Sequence, residues 1–396
     1  MKPVRGYVIA QLPESVRSGH WGSSLHSFIL YQYHHQHVTQ PLLLEQLHDL
    51  GIDISSGQLS QMLTKDLDVF HQEKSDLLRY GLPLSSYIHA DDTGARHQGK
   101  TGYCTHIGNE LFAWFESTES KSRVNFLELL SRGGCQAYVI NVGALEYMQR
   151  QQLPKRLLES LENQSIKCET PAALEQWLEE QGVTNQRHQR ILTEGMLVGR
   201  LLNQGIPINL GLVSDDAGQF NVFDHALCWI HAERLITRLI PVNDLQKQAV
   251  SWARDEVWSI YAGLKVYKTA PDPAHSTRLK AKFHQLVSTR TNYETLNQIL
   301  KRMGNNQHEL FRVLERPEIP LHNNLSERDI RDYVKKRKIS GSTRSEAGRQ
   351  CRDTFASLKK TCRKHGISFW SYLLDRTSNA KQIPSMADIL QAAASR

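Results

Sequence analysis

The feature that most constrains the fold is a short apolar run that ends in an acidic residue and occurs twice. Residues 208–214 lead to Asp215, and residues 86–90 lead to Asp91. Short apolar runs of this kind are typical of buried β-strands. A carboxylate that ends a buried strand is held by a rigid element at the edge of the sheet. The two runs therefore predict an α/β fold whose sheet carries both aspartates at one edge.

A third acidic residue, Glu327, begins a charged helical pattern in residues 323–331. Three carboxylates that converge at a sheet edge can bind two divalent cations and hold them against a phosphodiester. The three acids therefore predict a metal-dependent nuclease or strand-transfer enzyme. Each acid also has a simpler explanation, because the aspartates fit turns that end strands and Glu327 has capping-box spacing from Asn324.

The composition limits the class of protein. At 396 residues the chain exceeds the usual size of one core, so two or more domains are expected. The net charge of +7 and the isoelectric point near 9.0 favour a polyanionic partner. No apolar run approaches the roughly 20 residues that span a bilayer, and the first residues lack a signal-peptide pattern. The six cysteines form no Cys-x-x-Cys pair, so we expect a cytoplasmic, nucleoid-associated protein with no membrane contact.

The first 80 residues are predicted to form a helical region with a helix-turn-helix layout. Residues 41–50 have helical apolar spacing that Gly51 stops, and Ser55 or Ser56 can cap a second helix over residues 58–63. The second helix of such a motif enters the major groove of DNA. An ordinary helical hairpin explains the pattern equally well, because this second helix is poor in Arg and Lys.

The rest of the chain is predicted to form the catalytic region, residues 81–376, followed by a tail, residues 377–396. Three short strands are expected first, then a helix over residues 122–130, which is how the ribonuclease-H-like fold begins. We therefore predict a ribonuclease-H-like mixed sheet that carries its first aspartate on its first strand. Helical insertions are expected over about residues 144–205 and 244–315, and a helix is expected from about residue 225 to residue 239. The three predicted strands are residues 86–90, 102–108 and 111–115.

Four motifs stand in the order found in the insertion-sequence 66 (IS66) family of bacterial DDE transposases, which the chain resembles. The resemblance covers roughly residues 25–376 and continues through residues 341–345 and 369–373. Longer members of that family carry an N-terminal coiled coil and a cysteine-based zinc motif, and neither pattern is visible here. The four motifs are residues 90–93 (Ala-Asp-Asp-Thr), 213–220, 228–232 (Cys-Trp-Ile-His-Ala) and 323–331.

The resemblance implies a function and a set of catalytic residues. Asp91, Asp215 and Glu327 would be the DDE triad and would bind two Mg²⁺ (or Mn²⁺) ions. Asp92 and Asp216 are second-choice ligands, because a shift of one residue exchanges each with its neighbour. The protein would cut transposon ends and transfer the released strand to target DNA, as a homo-oligomer on DNA with possible accessory proteins of the same element.

The pair Cys228 and His231 has the i, i+3 spacing that places two side chains on one face of a helix. Two ligands are too few for a structural zinc site. The resemblance makes this pair a recurring signature between the second aspartate and the glutamate. We therefore expect a structural or substrate-positioning role for both residues.

A basic segment directly follows Glu327 and is the strongest candidate for DNA contact. Lysine and arginine side chains there would neutralise phosphates and give salt-dependent affinity with little dependence on base sequence. An ordinary solvated helix face is the alternative. The predicted DNA-binding residues are Arg328, Arg331, Lys335, Lys336, Arg337, Lys338 and Arg344.

Two other functions are compatible with these motifs. A metal-dependent nuclease would cut DNA without joining it, and a strand-transfer assay would separate it from a transposase. A non-catalytic or domesticated DNA-binding protein, derived from a transposase, would use only the helix-turn-helix and the basic segment. That protein is expected to keep its three acids apart in space and to bind DNA independently of Mg²⁺.

Overall fold

The computed structural model describes residues 21–134, 136–162 and 166–395. Residues 1–20 of the predicted N-terminal region, Cys135, residues 163–165 of the first predicted insertion and Arg396 lie outside the described residues. Among the described helices, none combines the length and apolarity needed to cross a membrane.

Four helices and a π-helical turn form the described part of the N-terminal region. The two helices predicted around Gly51 are confirmed: the chain turns at Gly51 with a φ of 76°, and Ser55 caps the second helix in a capping box with Gln58. The elements are α1 (Ser23–Leu30), the π-helix (Tyr31–His35), α2 (Gln40–Asp49), α3 (Ser56–Met62) and α4 (Asp68–Gly81).

A five-stranded mixed sheet lies at the centre of the molecule and confirms the α/β prediction. The strand order is β3-β2-β1-β6-β7, with β1 to β3 antiparallel and β1, β6 and β7 parallel. A separate antiparallel pair is formed by β4 and β5. The strands are β1 (Tyr87–Gly94), β2 (Tyr103–Gly108), β3 (Ala113–Thr118), β4 (Tyr138–Val139), β5 (Lys167–Cys168), β6 (Gly211–Ser214) and β7 (Asp224–Leu227).

Helices fill the two long connections around β6. The first set packs in the same core as the sheet, and the second set, from α11 onward, packs around its own apolar cluster. The first set is α5 (Arg123–Leu130), α6 (Val142–Arg150), α7 (Lys155–Leu161), α8 (Pro171–Glu180) and α9 (Gln186–Asn203). The second set follows α10 (Trp229–Thr237) and is α11 (Asp244–Thr269), α12 (Pro273–Ser288), α13 (Glu294–Asn305) and α14 (Gln307–Leu310).

Two predicted elements differ from the structure. Strand β1 continues beyond Asp91 to Gly94, because β2 pairs with it along that whole length. The predicted helix from about residue 225 begins instead as strand β7, and α10 starts only at Trp229. Parallel pairing with β6 buries His225, Ala226 and Leu227, and so short an apolar run has no periodicity that separates strand from helix.

The last four helices are α15 (Asn324–Ser340), α16 (Glu346–Lys364), α17 (Phe369–Ser378) and α18 (Met386–Ala394). Helix α16 covers the outer edge of β3, where Thr361, Ser357 and Asp353 accept hydrogen bonds from strand N–H groups at 2.7–3.1 Å. The segment expected as a tail contains α18, whose Met386 and Leu390 are fully buried in the core shared with α4. These apolar contacts order the end of the chain.

Candidate active site

Asp91 and Asp215 occupy equivalent positions on neighbouring parallel strands. The last pair between β1 and β6 is His89 with Val213, and each aspartate follows two residues later. Side chains two residues apart on a strand share a face of the sheet, and adjacent strands lie about 4.8 Å apart. The register therefore brings both aspartates to the same edge of the sheet, where β6 ends.

The carboxyl of Asp91 is affected by the charges of the other predicted acids. Burial, with smaller contributions from the negative charges of Asp215, Asp92 and Glu327, raises the pKa of its carboxyl to about 7. The N–H of Asp92, at 2.8 Å, opposes this shift. A negative charge raises the pKa of a neighbouring carboxyl only over a short distance, at most about one Debye length. The sheet edge therefore carries a half-buried group of acids that repel one another.

The structure distinguishes each aspartate from its neighbour. Asp92 accepts hydrogen bonds from the Thr105 hydroxyl at 2.5 Å and the Gln219 amide at 2.9 Å. Asp216 forms an ion pair with Arg302 at 2.5 Å. Among the described residues, the carboxylates of Asp91 and Asp215 accept only local backbone N–H groups, those of Asp92 and Ala217. Asp91 and Asp215 are thus the members of each pair with open carboxylates.

Glu327 lies in the first turn of α15 and is held by α10. Its two carboxylate oxygens accept hydrogen bonds from the guanidinium of Arg234 at 2.8 and 3.3 Å, and Nε2 of His231 lies 3.3 Å away. Within the described ranges, no three His, Cys, Asp or Glu side chains are already arranged as a metal site. To bind one metal ion together with the two aspartates, Glu327 would have to break its ion pair with Arg234.

Asn323 fixes the start of α15 against the sheet. Its fully buried carboxamide accepts a hydrogen bond from Nδ1 of His89 and donates one to the carbonyl of Ala90, each at 2.9 Å. Its backbone N–H donates to the sulfur of Cys228 at 3.2 Å. Asn323 therefore joins β1, α10 and α15, the three elements around the acids.

Two further contacts anchor the next turns of α15. The hydroxyl of Ser326 lies 2.6 Å from Nδ1 of His106 on β2. Asp329 lies 3.0 Å from Nζ of Lys364 and 3.3 Å from Nε2 of His106, and these partners hold the pKa of its carboxyl well below its usual value despite burial. Asp329 is therefore committed to structure, although it lies only two positions from Glu327.

Cys228 and His231 do not share a helical face as a pair of ligands would. Cys228 precedes α10 and is buried, and burial raises the pKa of its thiol. Its sulfur accepts the hydrogen bond from Asn323, while His231 contacts Glu327. Burial lowers the pKa of His231, which favours the neutral imidazole. Both side chains thus contact the segment that carries Glu327.

Arg234 and Asn323 are site residues that the sequence reasoning did not single out. Arg234 lies three residues after His231, and this spacing places both side chains on one face of a helix. The spacing from His231 was therefore a signal in the sequence that could have identified Arg234. Asn323 was quoted within its motif, but a buried carboxamide cannot be told from an exposed one by sequence alone.

The basic segment divides into an exposed stripe and two inward contacts. The positions of the stripe recur every three or four residues, so they line one face of α15 next to Glu327. Lys336 does not lie on that face, because it is buried and donates to the carbonyl of Tyr33 at 2.7 Å. Arg337 is half-buried and donates to Thr93 at 3.1 Å. The exposed stripe is Arg328, Arg331, Lys335 and Lys338, and Arg344 is exposed in the loop that follows.

Comparison with known proteins identifies the family. The family described as Transposase IS66 family matches residues 198–351, a segment that includes Asp215, Cys228, His231 and Glu327. The chain belongs to the IS66 transposase family. It is also 42% identical over 323 residues to Uncharacterized protein y4jO of Sinorhizobium fredii, an alignment that covers 80% of this chain and 100% of that protein. No solved structure matches the chain of this IS66-family member.

Proposed function

We propose that this IS66-family protein cleaves DNA at transposon ends and transfers the strand to target DNA, with Asp91, Asp215 and Glu327 as its catalytic acids. One observation carries the proposal. Asp91 on β1 and Asp215 directly after β6 each lie two residues beyond the last strand pair and have open carboxylates, while the neighbouring Asp92 and Asp216 are paired with other side chains.

The topology supports a ribonuclease-H-like core. Three antiparallel strands are followed by helix α5, and the first acid lies on the first strand. Strand β6 then returns beside β1, and Asp215 follows its last residue. Because one fold supports many functions, the proposed activity rests on the acidic residues of the site and not on the fold alone.

The donors of the site fit Mg²⁺ or Mn²⁺. Asp91, Asp215 and Glu327 offer only oxygen atoms, which these ions prefer. The pKa of Asp91 is raised first by burial and then by the neighbouring negative charges, and a divalent cation would offset both effects. Two bound ions would activate the attacking water or 3′-hydroxyl and stabilise the leaving oxygen. The role of the chain is to hold these carboxylates at the end of the sheet.

Other residues of the chain would bind and orient DNA. The exposed stripe on α15 runs directly from Glu327, so phosphates bound along it would lead towards the acids. Arg234 and His231 would set the position of Glu327, and Asn323 would keep α15 against β1. Neither a serine nor a tyrosine nucleophile is required, because strand transfer can proceed by direct in-line displacement.

Mg²⁺-dependent cleavage and joining of DNA that carries the element's own ends would test this proposal. We expect the wild type to cut and join, Asp215→Asn to lose both activities while it still binds DNA, and the matched Asp216→Asn to keep both. Cutting without joining would identify a nuclease. DNA binding by all three proteins without cleavage would favour a non-catalytic DNA-binding protein and overturn the proposal.

A further inference from the structure

A cleft of about 220 Å³ opens beside Asp215, between α10 and the end of α13. Its walls expose more apolar than polar surface, and Leu227, Met303 and Leu310 among them are buried. The volume lies below the roughly 300–1,000 Å³ of sites that enclose a whole drug-sized ligand, so the cleft suits a single flat ring system. The apolar wall residues are Leu227, Ala232, Leu235, Met303 and Leu310.

The polar groups of this cleft come from α10, from the end of α13 and from the segment that follows β6. The carboxamide of Asn306 and the guanidinium of the exposed Arg238 line it, and neither forms a side-chain hydrogen bond within the described part of the chain. The other two arginines are already engaged, Arg234 with Glu327 and Arg302 with Asp216. The cleft therefore offers one amide with both a donor and an acceptor, and one uncommitted positive charge.

We propose that this cleft receives one unstacked nucleobase of the DNA end, next to the phosphodiester at the acids. The inference rests on the proposed function, because the cleft shares Asp215 with the candidate active site. Apolar walls match the faces of a base, and the carboxamide of Asn306 matches the donor and acceptor atoms on its edge. Arg238 stands where it can neutralise an adjoining phosphate.

A bare phosphate fits the same cleft poorly. Asp215 would repel an anion, and the apolar walls formed by Leu235 and Met303 offer it no hydrogen bonds. Two of the three arginines at the cleft are neutralised by Glu327 and Asp216. A neutral ring that keeps its polar edge towards Asn306 meets all of these conditions.

Holding a base in the cleft would position the DNA for the reaction. Unstacking a nucleotide costs a few kcal/mol and costs least where the duplex is already distorted or ends. A base that is fixed beside Asp215 would also fix the backbone of that nucleotide relative to Asp91 and Asp215. Asn306 and Ala232 are thus positioning residues rather than catalytic ones.

Fluorescence of 2-aminopurine, which rises when the base leaves the stack, tests this inference in the full chain. The analogue is placed in turn at each position around the cleavage site of the element's end, and binding is measured without divalent metal. We expect a several-fold rise at one position with the wild type and with Asn305→Ala, an exposed neighbour on α13 that does not line the cleft. Ala232→Phe, whose ring fills the cleft, should abolish the rise, and Asn306→Ala should reduce it.

The outcomes separate this inference from the proposed function. No rise at any position with bound wild-type protein, or an unchanged rise in both cleft variants, would overturn the base site even if cleavage is intact. A rise with the expected variant pattern but no cleavage in Mg²⁺ would contradict only the catalytic proposal. If circular dichroism shows that Ala232→Phe does not fold, the fluorescence rise of Asn306→Ala is compared with that of Asn305→Ala. A smaller rise in Asn306→Ala supports the base site, and an equal rise overturns it. No binding of the element's ends by the wild type would overturn both proposals.

Discussion

Arg234 on α10 donates two hydrogen bonds to the carboxylate of Glu327 on α15, at 2.8 and 3.3 Å. This ion pair occupies both oxygens of the third predicted acid, while Asp91 and Asp215 keep their carboxylates open. A metal ion that recruits Glu327 must therefore compete with Arg234. We therefore expect Glu327 to bind the metal ion with Asp91 and Asp215 only after its ion pair with Arg234 has broken.

Removing that competitor should tighten metal binding. An ion pair that is partly exposed is worth roughly 0.2–1 kcal/mol, which corresponds to about a fivefold change in affinity at most. Arg234→Ala should therefore bind Mn²⁺ up to about fivefold more tightly in isothermal titration calorimetry. Arg238→Ala removes an equal charge from the same helix without touching Glu327, so it should show a smaller gain. An equal gain in both variants would show that net charge, not the ion pair, sets the affinity.

Asn323→Ala should destabilise the fold more than its position in a loop implies. The change leaves Nδ1 of His89 and the carbonyl of Ala90 buried without their partner, and each such group costs about 1–3 kcal/mol. We expect a loss of roughly 2–4 kcal/mol in the free energy of unfolding by urea. Asn324→Ala is the matched control, because its half-buried side chain makes no hydrogen bond among the described residues. Equal losses would contradict the role of Asn323 as the link between strand and helix.

The sequence predicted those parts of the fold that depend on local pattern. The helices on both sides of Gly51 and the strands before Asp91 and Asp215 follow from periodicity, capping and apolar runs. Strand β7 was missed because its burial comes from pairing with β6, a contact that no local pattern encodes. The order of α18 was missed for the same reason, since the burial of Met386 and Leu390 comes from contacts with elements distant in sequence, α4 among them.

The candidate site shows the same division. The motifs named the acids, but only the strand register shows that Asp91 and Asp215 reach the same edge of the sheet, and only side-chain contacts distinguish them from Asp92 and Asp216. Charge counting placed Lys336 with the DNA-binding residues, whereas its position on the inner face of α15 directs it to Tyr33. Burial on a helix depends on which neighbours pack against it.

Lys336 should make stability depend on pH in the alkaline range. Burial and the positive charges of Arg352 and Lys359 lower the pKa of its ammonium to about 7, below the value of about 10.4 in an unfolded chain. Between these values the unfolded chain binds a proton that the folded chain does not, so stability rises with pH. In urea unfolding, the wild type should gain stability relative to Lys336→Met from about pH 7 to about pH 10. The exposed Lys338→Met should track the wild type, and a parallel pH profile for Lys336→Met would contradict the assignment.

The exposed stripe on α15 should govern the salt dependence of DNA binding. Each phosphate contact that is lost lowers the slope of log affinity against log salt concentration by about one. Arg331→Gln should therefore reduce that slope by about one in fluorescence anisotropy, with little dependence on DNA sequence. Lys336→Met removes a charge from the same helix at a buried position and should leave the slope unchanged. The reverse pattern would place the DNA on a different surface.

Anomalous diffraction would test whether Asp91, Asp215 and Glu327 form one metal site. Crystals of the full chain with Mn²⁺ and DNA carrying the element's end would give difference peaks at the ions. We expect a peak at coordination distance from carboxylate oxygens of both Asp91 and Asp215, with Glu327 turned from Arg234 towards the metal. Peaks on Asp92 or Asp216 instead, or no peak at this sheet edge while Glu327 still pairs with Arg234, would contradict it.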